Sequence, residues 1–223
     1  MQKALFLVII MAALAGCKSK TAVSTDPARN RYFSVYDSIY RQWGQVPHDS
    51  TRAQLELYLQ EFPENAQAHH LAGNLAYYRT DYEEALTQYR MAIRLEFDKG
   101  IYYSAMGSTF NAMEQPDSTE KYLTRALELG DSSAHTLLIT AMAYLKKGNR
   151  EKALGLASLA WNADSTSAIT CSGLSYIYDR LDQPIKSVEL LHKATALGLK
   201  DTAAFTKVLA GKMKPTDYYR TNY

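Results

Sequence analysis

The stretch Gly73-Asn-Leu-Ala-Tyr-Tyr-Arg-Thr-Asp-Tyr-Glu-Glu-Ala85 decides the fold of this 223-residue chain. Its polar centre, Arg79-Thr80-Asp81, lies between two segments with helical spacing of apolar residues and is typical of a tight turn. Asp81 with Glu84 three residues later is a helix-start signal, because the first side chain can accept a hydrogen bond from the backbone of the first turn. The stretch therefore predicts two helices joined by a turn.

The pattern recurs along the chain with a period of 34 residues. One column is alanine throughout: Ala92, Ala126, Ala160 and Ala194. Two more columns hold a small and a mostly bulky residue: Gly73, Gly107, Ala141, Ser175; and Ala76, Phe110, Tyr144, Tyr178. The turn column holds Asp81, Gln115, Asn149 and Gln183. Small side chains are needed where helices cross closely and bulky ones where the gap between them must be filled, so the columns predict a repeated helical hairpin.

This pattern resembles the tetratricopeptide repeat (TPR) over residues 66–99, 100–133, 134–167 and 168–201. Residues 32–65 resemble a degenerate first repeat, with Pro63 near its end, where the family usually has a proline. The four full repeats lack that proline, and only Tyr103 supplies the family's aromatic residue early in the repeat. The resemblance implies an all-α, right-handed superhelical solenoid over residues 32–211.

We expect two helices per repeat and no strand, with Pro116 and Pro184 at the first position of their helices. The predicted helices are 32–43, 50–61, 67–79, 83–96, 101–113, 117–129, 134–147, 151–163, 168–181, 185–197 and 202–211. The last of these would cap the apolar end of the solenoid. The polar, Tyr-rich tail 212–223 is either loose or packed back on the helices.

The N-terminus has the features of a secretory signal. Residues 1–16 contain one cation followed by an apolar run that is shorter than the about 20 residues of a membrane span. Leu14-Ala15-Gly16-Cys17 resembles the lipobox of bacterial lipoproteins, which implies cleavage before Cys17 and acylation of that residue. Residues 17–31 would form a flexible tether. Lys18-Ser19-Lys20, which follow the cysteine, favour by this resemblance the outer membrane, with the domain facing the periplasm.

Chemistry-bearing residues are sparse in the sequence. The chain has 25 Lys and Arg against 23 Asp and Glu, without the basic excess of a nucleic-acid binder. None of the five histidines has metal-ligand spacing, and no phosphate-binding glycine loop or nucleophile motif is present. Cys171 falls on a predicted inner helix, where a buried apolar role is expected. We therefore expect no catalysis, no metal, no cofactor, no nucleic acid and no small-molecule substrate.

The resemblance implies that the first helix of each repeat lines a concave groove that binds a protein segment. The inward positions of the family, carried onto this sequence, give a set of candidate groove residues: His70, Asn74, Tyr77, Asn111, Leu138, Met142 and Tyr176. Leu138, Met142 and Tyr176 would form its apolar part and be exposed in the free protein. The alternative, that these side chains fill gaps between helices, stays open, because most of the 17 tyrosines must do so.

The features together predict a membrane-anchored, non-catalytic adaptor for protein–protein interactions. Lipoproteins of similar architecture serve secretion systems, pili and outer-membrane protein assembly, so the resemblance favours one of these envelope machines. The alternative is a periplasmic scaffold that recruits or regulates peptidoglycan hydrolases. A small-molecule carrier or enzyme is disfavoured, because no convergent set of ionisable residues is visible.

Overall fold

The computed structural model describes residues 49–214 and 217–218. This part of the chain forms ten helices: α1 (Asp49–Glu61), α2 (Ala66–Tyr78), α3 (Tyr82–Leu95), α4 (Gly100–Ala112), α5 (Pro116–Glu128), α6 (Ala134–Lys146), α7 (Arg150–Ala163), α8 (Ala168–Arg180), α9 (Pro184–Ala196) and α10 (Thr202–Leu209). The signal segment, Cys17, the tether and the predicted helix 32–43 lie outside the described residues.

The helices are arranged as four antiparallel pairs, α2 with α3, α4 with α5, α6 with α7 and α8 with α9, flanked by α1 and α10. Each second helix packs on the first helix of the next pair, and the first helices also contact one another directly. Because α2, α4, α6 and α8 are joined in this way, the array bends toward them. We call these four the inner helices.

The turn inside each pair has one left-handed residue at the same register. Thr80, Glu114, Gly148 and Asp182 have φ values of 66°, 59°, 78° and 59°. Only glycine adopts this conformation without a steric cost, so three of the four turns carry some backbone strain. The next residue is the N-cap of the second helix. Two of these N-caps, Asp81 and Asn149, accept hydrogen bonds from the backbone N–H groups of Glu84 and Lys152 at 3.4 and 3.1 Å.

Small residues allow the helices of each pair to approach closely. Ala92, Ala126, Ala160 and Ala194 are completely buried, which confirms the prediction of burial for Ala126 and Ala160. At Gly107 an added Cβ would lie 2.6 Å from the Leu123 side chain. Bulky residues fill the remaining space in a series of apolar clusters, from one around Tyr58 to one around Phe205.

The C-terminal end of the array is covered by α10 and the segment after it. Phe205 and Val208 on α10 are buried against Cys171 of α8. Tyr218 is also fully buried, with its ring 5.1 Å from that of Phe205, and its hydroxyl donates to the carbonyl of Lys200. In the described part, the tail is therefore packed back on the helices. Burial raises the pKa of the Cys171 thiol, in agreement with the apolar role predicted for it.

The predicted helix bounds within the described residues agree with the structure to two residues at each end. The largest difference is at the cap, where α10 ends at Leu209 rather than at residue 211. Pro116 and Pro184 begin α5 and α9 as expected. Across residues 49–214 and 217–218, no helix has both the length and the apolar character needed to cross a membrane.

Candidate functional site

The N-terminal part of the inner face is organised around Tyr89 of α3. Its ring is 2% exposed and its hydroxyl donates to the Asn74 side-chain oxygen at 2.8 Å. The His70 ring lies 5.8 Å from the Tyr89 ring and 5.2 Å from that of Tyr102. Burial among these rings lowers the pKa of His70 to about 4, so the imidazole is neutral at pH 7. Two predicted groove residues, His70 and Asn74, therefore share one buried partner.

Tyr77, the third predicted residue of α2, is half-buried at the C-terminal end of that helix. Its ring lies 5.7 Å from the Tyr78 ring in an edge-to-face arrangement and 5.8 Å from the Tyr82 ring. Tyr77 also packs against the apolar cluster that contains Tyr89 and Phe110, and these contacts together restrict its ring. An aromatic ring that is held in place loses little entropy on binding, so Tyr77 is suited to contact a protein segment.

Asn111 lies at the C-terminal end of α4 and links two inner helices. It is 7% exposed, and its side-chain oxygen accepts a hydrogen bond of 3.0 Å from the Lys146 ammonium of α6. Partial burial lowers the pKa of Lys146. Upstream on α4 the inner face is small and hydroxylated, and Ser108 donates to the carbonyl of Ser104 at 2.9 Å. The floor of the groove is therefore internally satisfied in this region.

The expected exposure of Leu138 and Met142 is wrong, since these two residues are only 4% and 7% exposed. Both belong to the apolar cluster that α6, α7 and α8 share. The reason is Gly173 of α8: it has no side chain, and a Cβ there would lie 2.9 Å from Leu138 Cδ1. The neighbouring inner helix therefore comes close enough to cover Leu138. Both residues stabilise the fold, and only a small part of either side chain is accessible to a partner.

Tyr176 of α8 is half-buried and packs against the same cluster, so the structure does bring the three predicted apolar residues together. Its ring is covered on one side by the Arg180 guanidinium, 5.3 Å from the ring centroid. Arg180 also pairs with Asp179 at 3.2 Å. Burial raises the pKa of Tyr176, which therefore keeps its proton at neutral pH.

The accessible part of the inner face lies at the two ends of the inner helices. At their N-terminal ends Gln67, Ile101 and His135 are exposed, Ile101 by 53%. A cleft of about 750 Å³ opens beside His135, between the first turns of α6 and α8. At the C-terminal ends, Lys146 and Arg180 are exposed. We call this second edge, with Glu114, Lys146 and Arg180, the cationic rim; the sequence patterns did not single it out.

The charged, polar and apolar side chains of the inner face and its edges are suited to contact a polypeptide. Among residues 49–214 and 217–218 no three His, Cys, Asp or Glu side chains are close enough together to hold a metal ion. Asp131 and Asp164, which line the cleft, accept hydrogen bonds from the local backbone at 3.3 and 2.9 Å. The inner face thus offers a fixed aromatic ring, an exposed Ile101 and charged side chains at its edge, a set that fits a polypeptide.

Solved structures similar to this chain are TPR proteins. A thermophilic TPR protein of Thermus thermophilus has 16% sequence identity and a TM-score of 0.68, with 83% of this chain and 98% of that chain covered. PilW, described as a widely conserved type IV pilus biogenesis factor, has 14% identity and a TM-score of 0.67, with 88% and 91% covered. YrrB, described as a TPR protein with an unusual peptide-binding site, has 21% identity and a TM-score of 0.54, with 83% and 92% covered.

No protein-family model matches the sequence, and no curated protein is similar to it by sequence. At these identities the similarity concerns the fold. The fold is that of a helical TPR solenoid.

Proposed function

We propose that this protein is a non-catalytic TPR adaptor, anchored to the outer membrane by acylation of Cys17, that binds a protein segment on its inner face in the periplasm. In this proposal the adaptor serves the assembly of a cell-envelope machine such as a secretion system, a pilus or the outer-membrane assembly complex. Residues 17–31 would give the solenoid reach away from the bilayer. The fold resembles that of PilW, whose description names pilus biogenesis.

The observation that carries the binding role is the accessible set on the inner helices. Ile101 is a large apolar side chain that is 53% exposed on an inner helix, and Tyr77 lies on the neighbouring one. Exposed apolar and aromatic side chains are typical of interfaces, because they bury a large area on binding. On the helix that carries Ile101, the inner-face hydroxyl of Ser108 is already bonded to the carbonyl of Ser104.

A photo-crosslinking amino acid at position 101, introduced in intact cells, tests the binding role. The matched control is position 185, since Ile185 is also an isoleucine, is 76% exposed and lies on α9, which is not an inner helix. We expect discrete protein adducts from position 101 and none from position 185. Envelope-machine subunits in the adducts support the proposal, whereas peptidoglycan hydrolases favour the alternative scaffold. Equal adducts from both positions would contradict binding by the inner face.

The anchor is tested separately with the two cysteines. Cys17→Ser removes the thiol that would be acylated, so the protein should leave the membrane fraction or keep its signal segment unprocessed. Cys171→Ala is the control, because Cys171 is fully buried in the solenoid and its removal should not change fractionation. A processed Cys17→Ser protein that stays in the membrane fraction after a high-salt wash would exclude lipid anchoring.

A further inference from the structure

The segment after α10 makes contacts far from its own end of the solenoid. At its start, the carbonyl of Leu209 accepts a hydrogen bond from the Arg180 guanidinium. Five residues on, the Lys214 ammonium forms an ion pair of 2.7 Å with Glu114, in the turn after α4. The chain then returns to α10, where Tyr218 is buried against Phe205. We call its described residues, 209–214 and 217–218, the clasp.

The clasp follows the cationic rim across three repeats. Arg180 ends α8 and Glu114 follows α4, with Lys146 at the end of α6, so the two contacts of the clasp with the rim lie two repeats apart. Lys146 lies on the same edge, and its charge adds to that of Lys214 in lowering the pKa of the Glu114 carboxyl. Repeats of a solenoid normally contact only their neighbours. The ion pair of Lys214 with Glu114 is different, because it joins the C-terminal segment to a repeat that is not its neighbour.

Of the three charged residues of the cationic rim, only Glu114 can pair with a basic side chain of the clasp. Glu114 is the acid that Lys214 uses, and the hydrogen bond and charge of that lysine lower the pKa of the Glu114 carboxyl. Arg180 offers a donor that the clasp satisfies with a backbone carbonyl rather than a side chain. A lysine opposite Glu114 and an unpaired backbone carbonyl opposite Arg180, here that of the last residue of α10, are features that a peptide with one basic residue could reproduce.

We propose that the clasp is an intramolecular ligand of the cationic rim, and that a partner segment binds there by displacing it. The displacing segment presents a lysine or arginine to Glu114 and a free backbone carbonyl to Arg180. This inference deepens the proposed function and rests on it for the partner, but the clasp itself is tested without one. Three contacts hold the clasp: the hydrogen bond from Arg180 and the exposed ion pair, which contribute little alone, and the buried ring of Tyr218, which contributes more.

The first experiment tests whether the clasp is closed. A carbodiimide joins a lysine amine to a carboxylate in contact with it, so the full chain should yield a crosslink between Lys214 and Glu114. Lys147 with Asp117, 3.2 Å apart and remote from the clasp, serves as the internal reference. Lys214→Glu should abolish the first crosslink and leave the second unchanged. The double variant with Glu114→Lys and Lys214→Glu should restore a crosslink between positions 114 and 214.

The second experiment tests whether the rim is a peptide site. The probe is a fluorescent peptide of residues 209–218, and its affinity for the full chain is measured by anisotropy. An attached segment competes at an effective concentration near the millimolar range. We therefore expect at least tenfold tighter binding to Tyr218→Ala, in which the clasp is released, than to the native chain. Tyr218→Phe keeps the ring and should bind like the native chain. A probe peptide carrying Lys214→Glu should bind about two- to fivefold more weakly.

Two results would overturn the inference. One is a native chain that gives the Lys147 crosslink without the crosslink between positions 114 and 214. The other is equal or absent binding of the probe peptide to the native chain and to Tyr218→Ala. If Tyr218→Ala loses helix content by circular dichroism, the crosslinks of the charge-exchanged pair decide the matter, because those positions are exposed. Failure to capture a partner at position 101 would count against the proposed function. It would not affect the interpretation of the crosslinks or of the probe-peptide affinities, which test the clasp alone.

Discussion

Gly73→Ala is the most informative single change, because Gly73 supports both the packing and the site. An added Cβ would lie 2.4 Å from Tyr89 Cε1 and 2.5 Å from Cδ1. The rigid, buried ring cannot yield without moving its hydroxyl away from Asn74. Overpacking costs about 1–3 kcal/mol and a lost buried hydrogen bond about 1–3 kcal/mol, against a helix-propensity gain of about 0.5–1 kcal/mol. We expect a net loss of about 2 kcal/mol or more.

The matched control is Gly155→Ala. Gly155 lies within α7, and nothing lies within 4 Å of the Cβ that alanine would add. This variant gains helix propensity at no steric cost and should be stabilised by about 0.5–1 kcal/mol. Urea unfolding followed by circular dichroism measures both changes, and the two variants should differ by about 3 kcal/mol. Equal unfolding midpoints for Gly73→Ala and Gly155→Ala would refute the close approach of α2 and α3 at Tyr89.

Three further predictions address the column of buried alanines, the inner face and the buried histidine. Ala126→Leu and Ala160→Leu each insert volume at a fully buried site and should lower the unfolding free energy by about 1–3 kcal/mol; unchanged midpoints would disprove the packing. Leu138→Ala should cost about 2–5 kcal/mol and leave the adducts from position 101 intact, whereas lost adducts with normal stability would restore Leu138 as a contact residue. The pKa of His70 is about 4 in the folded protein, compared with 6.5 for an unperturbed histidine, so between these pH values the unfolded chain binds more protons than the folded one. The free energy of unfolding should therefore fall by up to about 3 kcal/mol as the pH drops from 6.5 to 4. His70→Gln should flatten this pH dependence, whereas replacement of the exposed His192 by Gln should not.

Local signals predicted the helices well because each one rests on a few adjacent residues. A proline such as Pro116 has no N–H to leave unsatisfied at a helix start, and a side chain such as Asp81 caps the first turn, so both mark a boundary without tertiary information. The burial of Ala126 was predicted from a different signal, the recurrence of alanine every 34 residues. The left-handed residue before each second helix was not predicted, since Thr80 and Glu114 are poor candidates for a positive φ.

The exposure of the candidate site was harder to predict, because it depends on distances between repeats. Position in the repeat assigns Leu138 to the inner face, but its exposure depends on how near α8 comes, and that is set by Gly173 in the next repeat. The contacts at the cationic rim were not predictable from the sequence for the same reason. The ion pair of Glu114 and Lys214 joins residues about a hundred positions apart, and neither residue belongs to a motif.

The burial of Leu138 and Met142 changes what kind of partner the inner face can select. An exposed apolar stripe would accept any amphipathic segment, and its selectivity would be low. Because Leu138 and Met142 are buried, the accessible groups are the exposed Ile101, the half-buried Tyr77 and the charged residues of the cationic rim. Selectivity then depends on the charges at the rim, where a mismatched acid would face Glu114. Because the clasp already satisfies those charges, a partner must match them better than the chain's own C-terminal segment does.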